Sequence, residues 1–259
     1  MICKPIFCIV RPFLRIWRFF KNRINMQKNL RKKTCQKSER EKKMNSLSTE
    51  ILLERHGESL GNKARVFLGH TDLDLSEEGY RQADVCAKHF ESERIDAIYS
   101  SDLLRAYNTA LAHARIRKMN IVAKRGLREI YGGEWENMPF AEIKEKYPHE
   151  YCRVWREQFA SFNCVGAEPV PKLAERIHAS LLEIAKENPG GRVLVVTHAA
   201  AIRAFFGKIY GYSEKEASEK LVFPTNVSVS RVLYDGEKFI PVSYSEDGYI
   251  SEANTYRNA

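Results

Sequence analysis

"RVLVVTHAAAIRAFFGKIYG", residues 192–211, is the stretch on which the fold turns. Its first part is the most strand-like run in the chain, apolar and largely β-branched from Val193 to Val196. Its second part, "AAIRAFFGKIYG" from Ala200, reads as the helix after it. The two meet at Thr197-His198-Ala199, with no cluster of turn residues between them. A strand that passes into a helix is the repeating unit of an α/β protein, and the remaining question is whether the chain repeats it.

From residue 49 it does. "TEILLERHG" reads as a first buried strand, and "LSEEGYRQADVCAKHFESE" as a helix with Ser76 as N-cap and two glutamates in its first turn. "IDAIYSSD" is a second short strand. "LLRAYNTALAHARIRK" is then a helix capped by Ser101 or Asp102, with basic residues at its C-terminal end. "NIVAKRGLREI" is extended, and two short helical stretches flank Pro148. "KLAERIHASLLEIAKENPGG" puts Leu173, Ile177, Leu181 and Ile184 on one stripe and stops at Asn-Pro-Gly-Gly. Two strand-like runs around Asp235-Gly236 predict a closing hairpin. The alternation predicts an α/β fold, a three-layer α/β/α sandwich with a mostly parallel central sheet.

Charge divides the chain. It carries +9 overall, but residues 1–49 hold 14 Lys/Arg against Glu39 and Glu41, which is +12 and leaves −3 for the remaining 210 residues. The expected organisation is a basic N-terminal extension over 1–48 and one domain over 49–259. The longest uncharged run of the extension, Pro5–Val10, is far too short to cross a bilayer. No apolar core followed by a small-residue cleavage site marks a secretory signal. Arg11, Arg15 and Arg18 share one helical face, which suits weak membrane-surface association through residues 1–25, or organellar targeting. A disordered arm, or an extension upstream of a start at Met44, accounts for the same composition. No motif supports nucleic-acid binding. The six cysteines, at 3, 8, 35, 86, 152 and 164, show neither a C-x-x-C pair nor metal-like spacing. That favours a reducing, cytoplasmic setting over a disulfide framework or a zinc site.

In parallel sheets, ligands bind beyond the carboxyl ends of the strands. Two strands here run into histidine there: Ile51–Leu53 into Arg55-His56-Gly57, and Val193–Val196 into Thr197-His198. A hydrolytic metal site would want carboxylates at tight spacing from the histidines, and neither has them. "RHGES" is not the G-x-S-x-G of a serine hydrolase, which sets Ser59 aside as a nucleophile. No glycine-rich nucleotide loop is present. What remains is arginine. Arg55 adjoins His56, and Arg105 opens the helix after "IYSSD". Two guanidinium forks beside two imidazoles make a phosphoryl pocket that needs no metal, and a neutral imidazole is a competent nucleophile.

"LLERHGESLGNKARVFLGHTDLDLSEEGYRQA", "SSDLLRAYNTA", "LREIYGGEWEN" and "VLVVTHAAAIRA" resemble, in order, the four motifs of the histidine phosphatase superfamily, the phosphoglycerate mutase-like phosphatases. The resemblance covers roughly residues 50–210. It implies that His56 becomes phosphohistidine and that Arg55, Arg105 and His198, with Asn62, hold the phosphoryl group. Glu129 would protonate the leaving alcohol and later help water attack. Gly57 would let the backbone pass close to phosphate. Leu68 and Gly69 fall in the loop expected to touch substrate. No cofactor or metal is implied, and the partner is a small phosphorylated substrate, with the oligomeric state left open.

Two positions of the third motif depart from the family's pattern: Gly132 replaces an aromatic residue and Asn137 a glycine. Gly132 is expected to loosen the wall beside Glu129, and Asn137 to tolerate a left-handed backbone. Ala199 stands where a glycine commonly follows the last histidine. Ile130 in place of an arginine, and only 69 positions from Glu129 to His198, favour hydrolysis over mutase-type phosphoryl transfer. A non-catalytic binding or scaffold protein of the same fold is the other alternative. Specificity is expected from residues 63–72 and from 132–165, including Arg153, Trp155 and Arg156.

Overall fold

Residues 48–152, 162 and 164–250 are described by a computed structural model of the chain. In chain order the first elements are β1 (Thr49–Arg55), α1 (Leu60–Ala64), β2 (Val66–Phe67), α2 (Glu77–His89), β3 (Ala97–Ser100), α3 (Leu104–Arg117) and β4 (Ile121–Ala123). There follow β5 (Met138–Pro139), α4 (Phe140–Lys146), α5 (Pro148–Cys152), α6 (Val170–Glu187), β6 (Arg192–Thr197) and α7 (Ala199–Tyr210). The chain continues through α8 (Glu214–Lys220), β7 (Val229–Tyr234) and β8 (Phe239–Glu246).

The central sheet has the order β4-β3-β6-β1-β7-β8. Its first four strands are parallel, and β7 and β8 are added antiparallel at one side. A strand covered on both faces is apolar along its middle, as β1 is over Ile51–Leu53 and β6 over Val193–Val196. Ile51, Leu53, Val193 and Val195 belong to the core shared with Leu173, Ile177 and Leu181 of α6 and Phe205 of α7. Leu52, Leu194 and Val196 face the other way, onto Cys86 of α2 and Ala106, Ala110 and Ala114 of α3. The result is the expected three-layer sandwich. The α6 stripe is fully buried as its spacing predicts, and the hairpin turns at Asp235-Gly236, where Gly236 takes φ +100°.

Register positions the site. β1 and β6 pair with Leu53 opposite Val195 and Arg55 opposite Thr197. The next residue on each strand is a histidine, and the His56 N–H donates to Thr197 O at 3.0 Å. A shift of one residue would separate the two rings and send them to opposite faces.

Two local expectations are corrected. The N-cap of α3 is Leu103, with no side-chain cap, rather than Ser101 or Asp102. Asp102 is bound bidentately to Arg128, and Ser101 faces His198. The Leu104 N–H is accepted instead by Asp72 from a distant loop. Only Ile121–Ala123 of "NIVAKRGLREI" is a strand, and Arg125–Leu127 forms a 3₁₀ turn. Ser59 caps the single turn of α1. α8 follows a capping box at Ser213 that periodicity alone does not reveal. The expectations for residues 1–47, and for Arg153, Trp155 and Arg156, lie outside the described residues. No helix among the described residues is long and apolar enough to cross a membrane.

Candidate active site

The exits of β1 and β6 bring His56 and His198 together, with ring centroids 5.1 Å apart in an edge arrangement. Both are buried. His56 Nδ1 lies 2.6 Å from Gly57 O. A carbonyl can only accept, so Nδ1 carries the proton and Nε2 keeps its lone pair. Burial, reinforced by the charges of Arg105 and Arg55, holds the His56 pKa well below the ordinary imidazole value. The ring is therefore neutral at physiological pH, with the correct nitrogen free to attack. His198 is depressed in the same way, by burial first and then by Arg105, His56 and Arg55. Its Nε2 lies 2.9 Å from Ser101 Oγ, and its Nδ1 is buried with no protein partner.

The guanidinium groups are fixed by backbone carbonyls. Arg55 donates through NH1 to Pro224 O at 2.6 Å, and its Nε is buried without a partner. Arg105, 1% exposed, donates to Thr71 O at 2.9 Å and Gly69 O at 2.7 Å. Burial lowers the pKa of each to about 10, opposed by the nearby charge of Glu129, so both stay cationic at neutral pH. Glu129 lies at the N-terminus of α7. Its carboxylate accepts from the N–H groups of Ile130, Ala200 and Ala201 at 2.9, 3.2 and 3.1 Å. Ala199 is helical at the first position of α7, so the missing glycine costs nothing there.

Of the eight candidates, the structure brings five into one constellation: Arg55, His56, Arg105, Glu129 and His198. The others take different positions. Asn62 spends its Oδ1 on a capping box, accepting from Ser59 N and Oγ at 3.1 and 2.9 Å, which leaves only Nδ2 for a ligand. Leu68 is buried against Gly61. Gly69, at φ +50°, contributes the carbonyl that holds Arg105, and a Cβ there would sit 1.8 Å from Glu136 Oε1. Gly57 is required by protein, not only by ligand, because a Cβ there would lie 2.5 Å from Gly79 O. Gly132 leaves no loosened wall, since the space its Cβ would take is filled by the Phe67 ring at 2.3 Å. Asn137 does adopt φ +59°.

Several supporting residues escaped the motif reading. Glu136 accepts from the N–H groups of His70, Thr71 and Gly132 and from Thr71 Oγ1, and so shapes the loop whose carbonyls hold Arg105. Thr109 Oγ1 accepts the Gly57 N–H at 3.0 Å, and Asn226 donates to His56 O at 3.0 Å. His70 and Arg176 both reach Glu129 O. Most of these contacts span tens to well over a hundred residues of sequence and follow no period; His70, Thr109 and Glu136 lie inside the quoted motifs, but nothing in their spacing says what they hold.

Among the described residues, one buried cluster has metal-ligating chemistry: Glu54, Cys86 and His113. Glu54 alternates with Arg55 along β1 and so faces the other side of the sheet. Arg117 NH1 approaches His113 Nδ1 at 3.5 Å, and arginine can only donate. His113 Nε2 lies 2.8 Å from Glu54 Oε2, so these two side chains already face one another within the cluster.

Residues 51–247 match the profile of the histidine phosphatase superfamily, branch 1. The metal-independent phosphoserine phosphatase of Arabidopsis thaliana is 35% identical over 211 residues, 81% of this chain and 86% of that protein. Phosphoserine phosphatase 1 of Hydrogenobacter thermophilus is 34% identical over 161 residues, 62% and 76% of the two chains. A probable phosphoglycerate mutase of Yersinia pestis is 33% identical over 190 residues, 71% and 85%. Among solved structures, YhfR of Bacillus stearothermophilus superposes with a TM-score of 0.74 at 26% identity, covering 78% of this chain and all of that one. The chain belongs to the histidine phosphatase superfamily. Within that family it is a phosphomonoesterase, a hydrolase with the phosphoglycerate mutase-like fold.

Proposed function

We propose that the protein hydrolyses the phosphomonoester of a small hydroxy acid or amino acid, with phosphoserine as the leading substrate, through a phosphohistidine on His56. The observation that carries this is the His56 Nδ1 to Gly57 O hydrogen bond, which leaves a neutral Nε2 between two fixed cations. Phosphoryl transfer asks mainly for positioning and for positive charge around the equatorial oxygens. Nε2 attacks phosphorus, the P–O ester bond breaks, and the Glu129 carboxyl gives its proton to the leaving oxygen. The Glu129 carboxylate then takes a proton from water as that water attacks, the P–N bond breaks, and His56 and inorganic phosphate are released. Arg55, Arg105 and His198 hold the phosphoryl oxygens throughout, and Asn62 adds a donor through Nδ2, its amide oxygen being held in the α1 cap.

Ile130 beside Glu129 and the short interval to His198 support transfer to water rather than back to substrate. The phosphoserine phosphatase names among the relatives support the substrate class. The described cysteines, 86, 152 and 164, are free thiols, which supports a reducing, cytoplasmic setting.

The test is a panel of phosphoserine, 3-phosphoglycerate, sugar phosphates and an aryl phosphate, read as kcat/KM, alongside acid-labile phosphate labelling. Phosphoserine is expected to rank first, and label is expected in the wild type and not in His56→Ala. Formation of 2-phosphoglycerate from 3-phosphoglycerate faster than phosphate release would establish the mutase instead. Neither label nor turnover would leave a binding protein.

A further inference from the structure

The geometry points to Ser101 as a positioning residue that fixes the tautomer of His198, making it a neutral Nδ1–H donor to the transferred phosphoryl group. The inference rests on the proposed phosphatase reaction and concerns how its second histidine is prepared.

Ser101 and His198 are both 0% exposed, so each polar atom must be accounted for within the protein or by ligand. Ser101 Oγ lies 2.9 Å from His198 Nε2, and it also receives the Leu103 N–H at 3.3 Å. The hydroxyl has one proton to give. Among the described residues, His198 Nε2 is the only acceptor within reach of it; the neighbouring Ser100 hydroxyl is directed to the Ser101 carbonyl. Donation from Ser101 to Nε2 leaves the lone pair on Nε2 and the ring proton on Nδ1. The opposite arrangement would bury a hydroxyl proton with no acceptor and leave a bare Nδ1 lone pair facing an anionic group.

The state of Nδ1 agrees. It is buried and has no protein partner, so it is the ring nitrogen left for a ligand. Burial and the nearby guanidinium charges keep His198 neutral, and a neutral ring can donate from one nitrogen only. The tautomer therefore decides whether His198 attracts or repels a phosphoryl oxygen. In His56 a backbone carbonyl that accepts from Nδ1 fixes the tautomer and leaves Nε2 as the nucleophile; in His198 a side-chain hydroxyl that donates to Nε2 fixes the same tautomer and leaves the Nδ1 proton to be donated. One tautomer in two rings yields one attacking atom and one donor.

Long-range proton–nitrogen spectra of the ¹⁵N-histidine-labelled full chain near neutral pH test this, with the His198 signals assigned by their loss in His198→Gln. A protonated Nδ1 and a bare Nε2 are expected in the wild type, and a mixture of tautomers in Ser101→Ala. Orthovanadate, the probe for a transferring phosphoryl group, is expected to bind Ser101→Ala about tenfold or more weakly. A wild-type proton on Nε2, a doubly protonated His198, or unchanged vanadate affinity in a folded Ser101→Ala overturns the inference. The spectra need no substrate: a protein without turnover or phosphohistidine would refute the phosphatase reading while the tautomer remained measurable, and full turnover with an Nε2–H His198 would refute only the tautomer.

Discussion

At the scale of single residues, the site is a set of histidines kept neutral by arginines kept charged. That has a consequence for pH in two directions. In the proposed reaction His56 is the attacking base, and its folded pKa lies well below 6.5, so kcat/KM should persist as pH falls through the ordinary imidazole range and decline only below it. Stability behaves differently. In the unfolded chain His56 and His198 take up protons near pH 6.5, while in the folded chain they do not until far lower. The unfolded state thus binds more protons across that window, and stability falls as pH drops from about 6.5. His178, also lowered by burial, adds in the same sense. Urea midpoints measured between about pH 7 and pH 5 should fall steadily, and less so in His198→Gln. A midpoint independent of pH across that interval would mean the rings are not held neutral. His56, Arg55 and Arg105 were legible here because the resemblance is carried by short runs with invariant chemistry. Asn62 was less legible, because its carbonyl serves the α1 cap.

At the scale of elements, the buried Arg105 depends on a loop that depends on the Glu136 carboxylate. Arg105 is aimed by the carbonyls of Gly69 and Thr71, and that loop is gathered by Glu136, four residues beyond Gly132. Replacing Glu136 by alanine removes four bonds to a charged acceptor. It should cost roughly 1.5–3 kcal/mol in urea unfolding, and kcat/KM on an aryl phosphate should fall about tenfold or more because Arg105 loses its anchors. Unchanged turnover in a variant destabilised to that extent would separate the loop from the chemistry. Glycine acts at the same scale. Gly57 allows the exit of β1 to approach the first turn of α2 at Gly79, a contact between backbones that neither element can yield. The Ser76 cap of α2 was legible because its serine and glutamates are adjacent in sequence; the start of α3 was not, since its first N–H is satisfied by Asp72 from 32 residues upstream.

At the scale of the whole molecule, the sheet does what its composition asks. Apolar strands with no polar face must be covered twice, and that forces helices onto both sides and the polar strand exits to one edge. Every described site group lies at or after Arg55, and the family match begins at residue 51. A chain started at Met44 should therefore keep the kcat/KM of the full chain and its urea midpoint; a loss of activity on removing residues 1–43 would give the basic extension a part in catalysis. The sequence by itself determined the layered α/β class, the two strand-end histidines and the arginines beside them, because periodicity and short motifs are local properties. The tertiary structure alone decided which atom of each ring is free, that Glu136 stands behind Arg105, that Glu129 is held by the amides of α7, and that Ser101 addresses His198 rather than a helix. Those are matters of hydrogen-bond direction between residues far apart in the chain. A hydrogen bond is satisfied or lost by ångströms and angles that strand register sets and that no spacing in the sequence encodes.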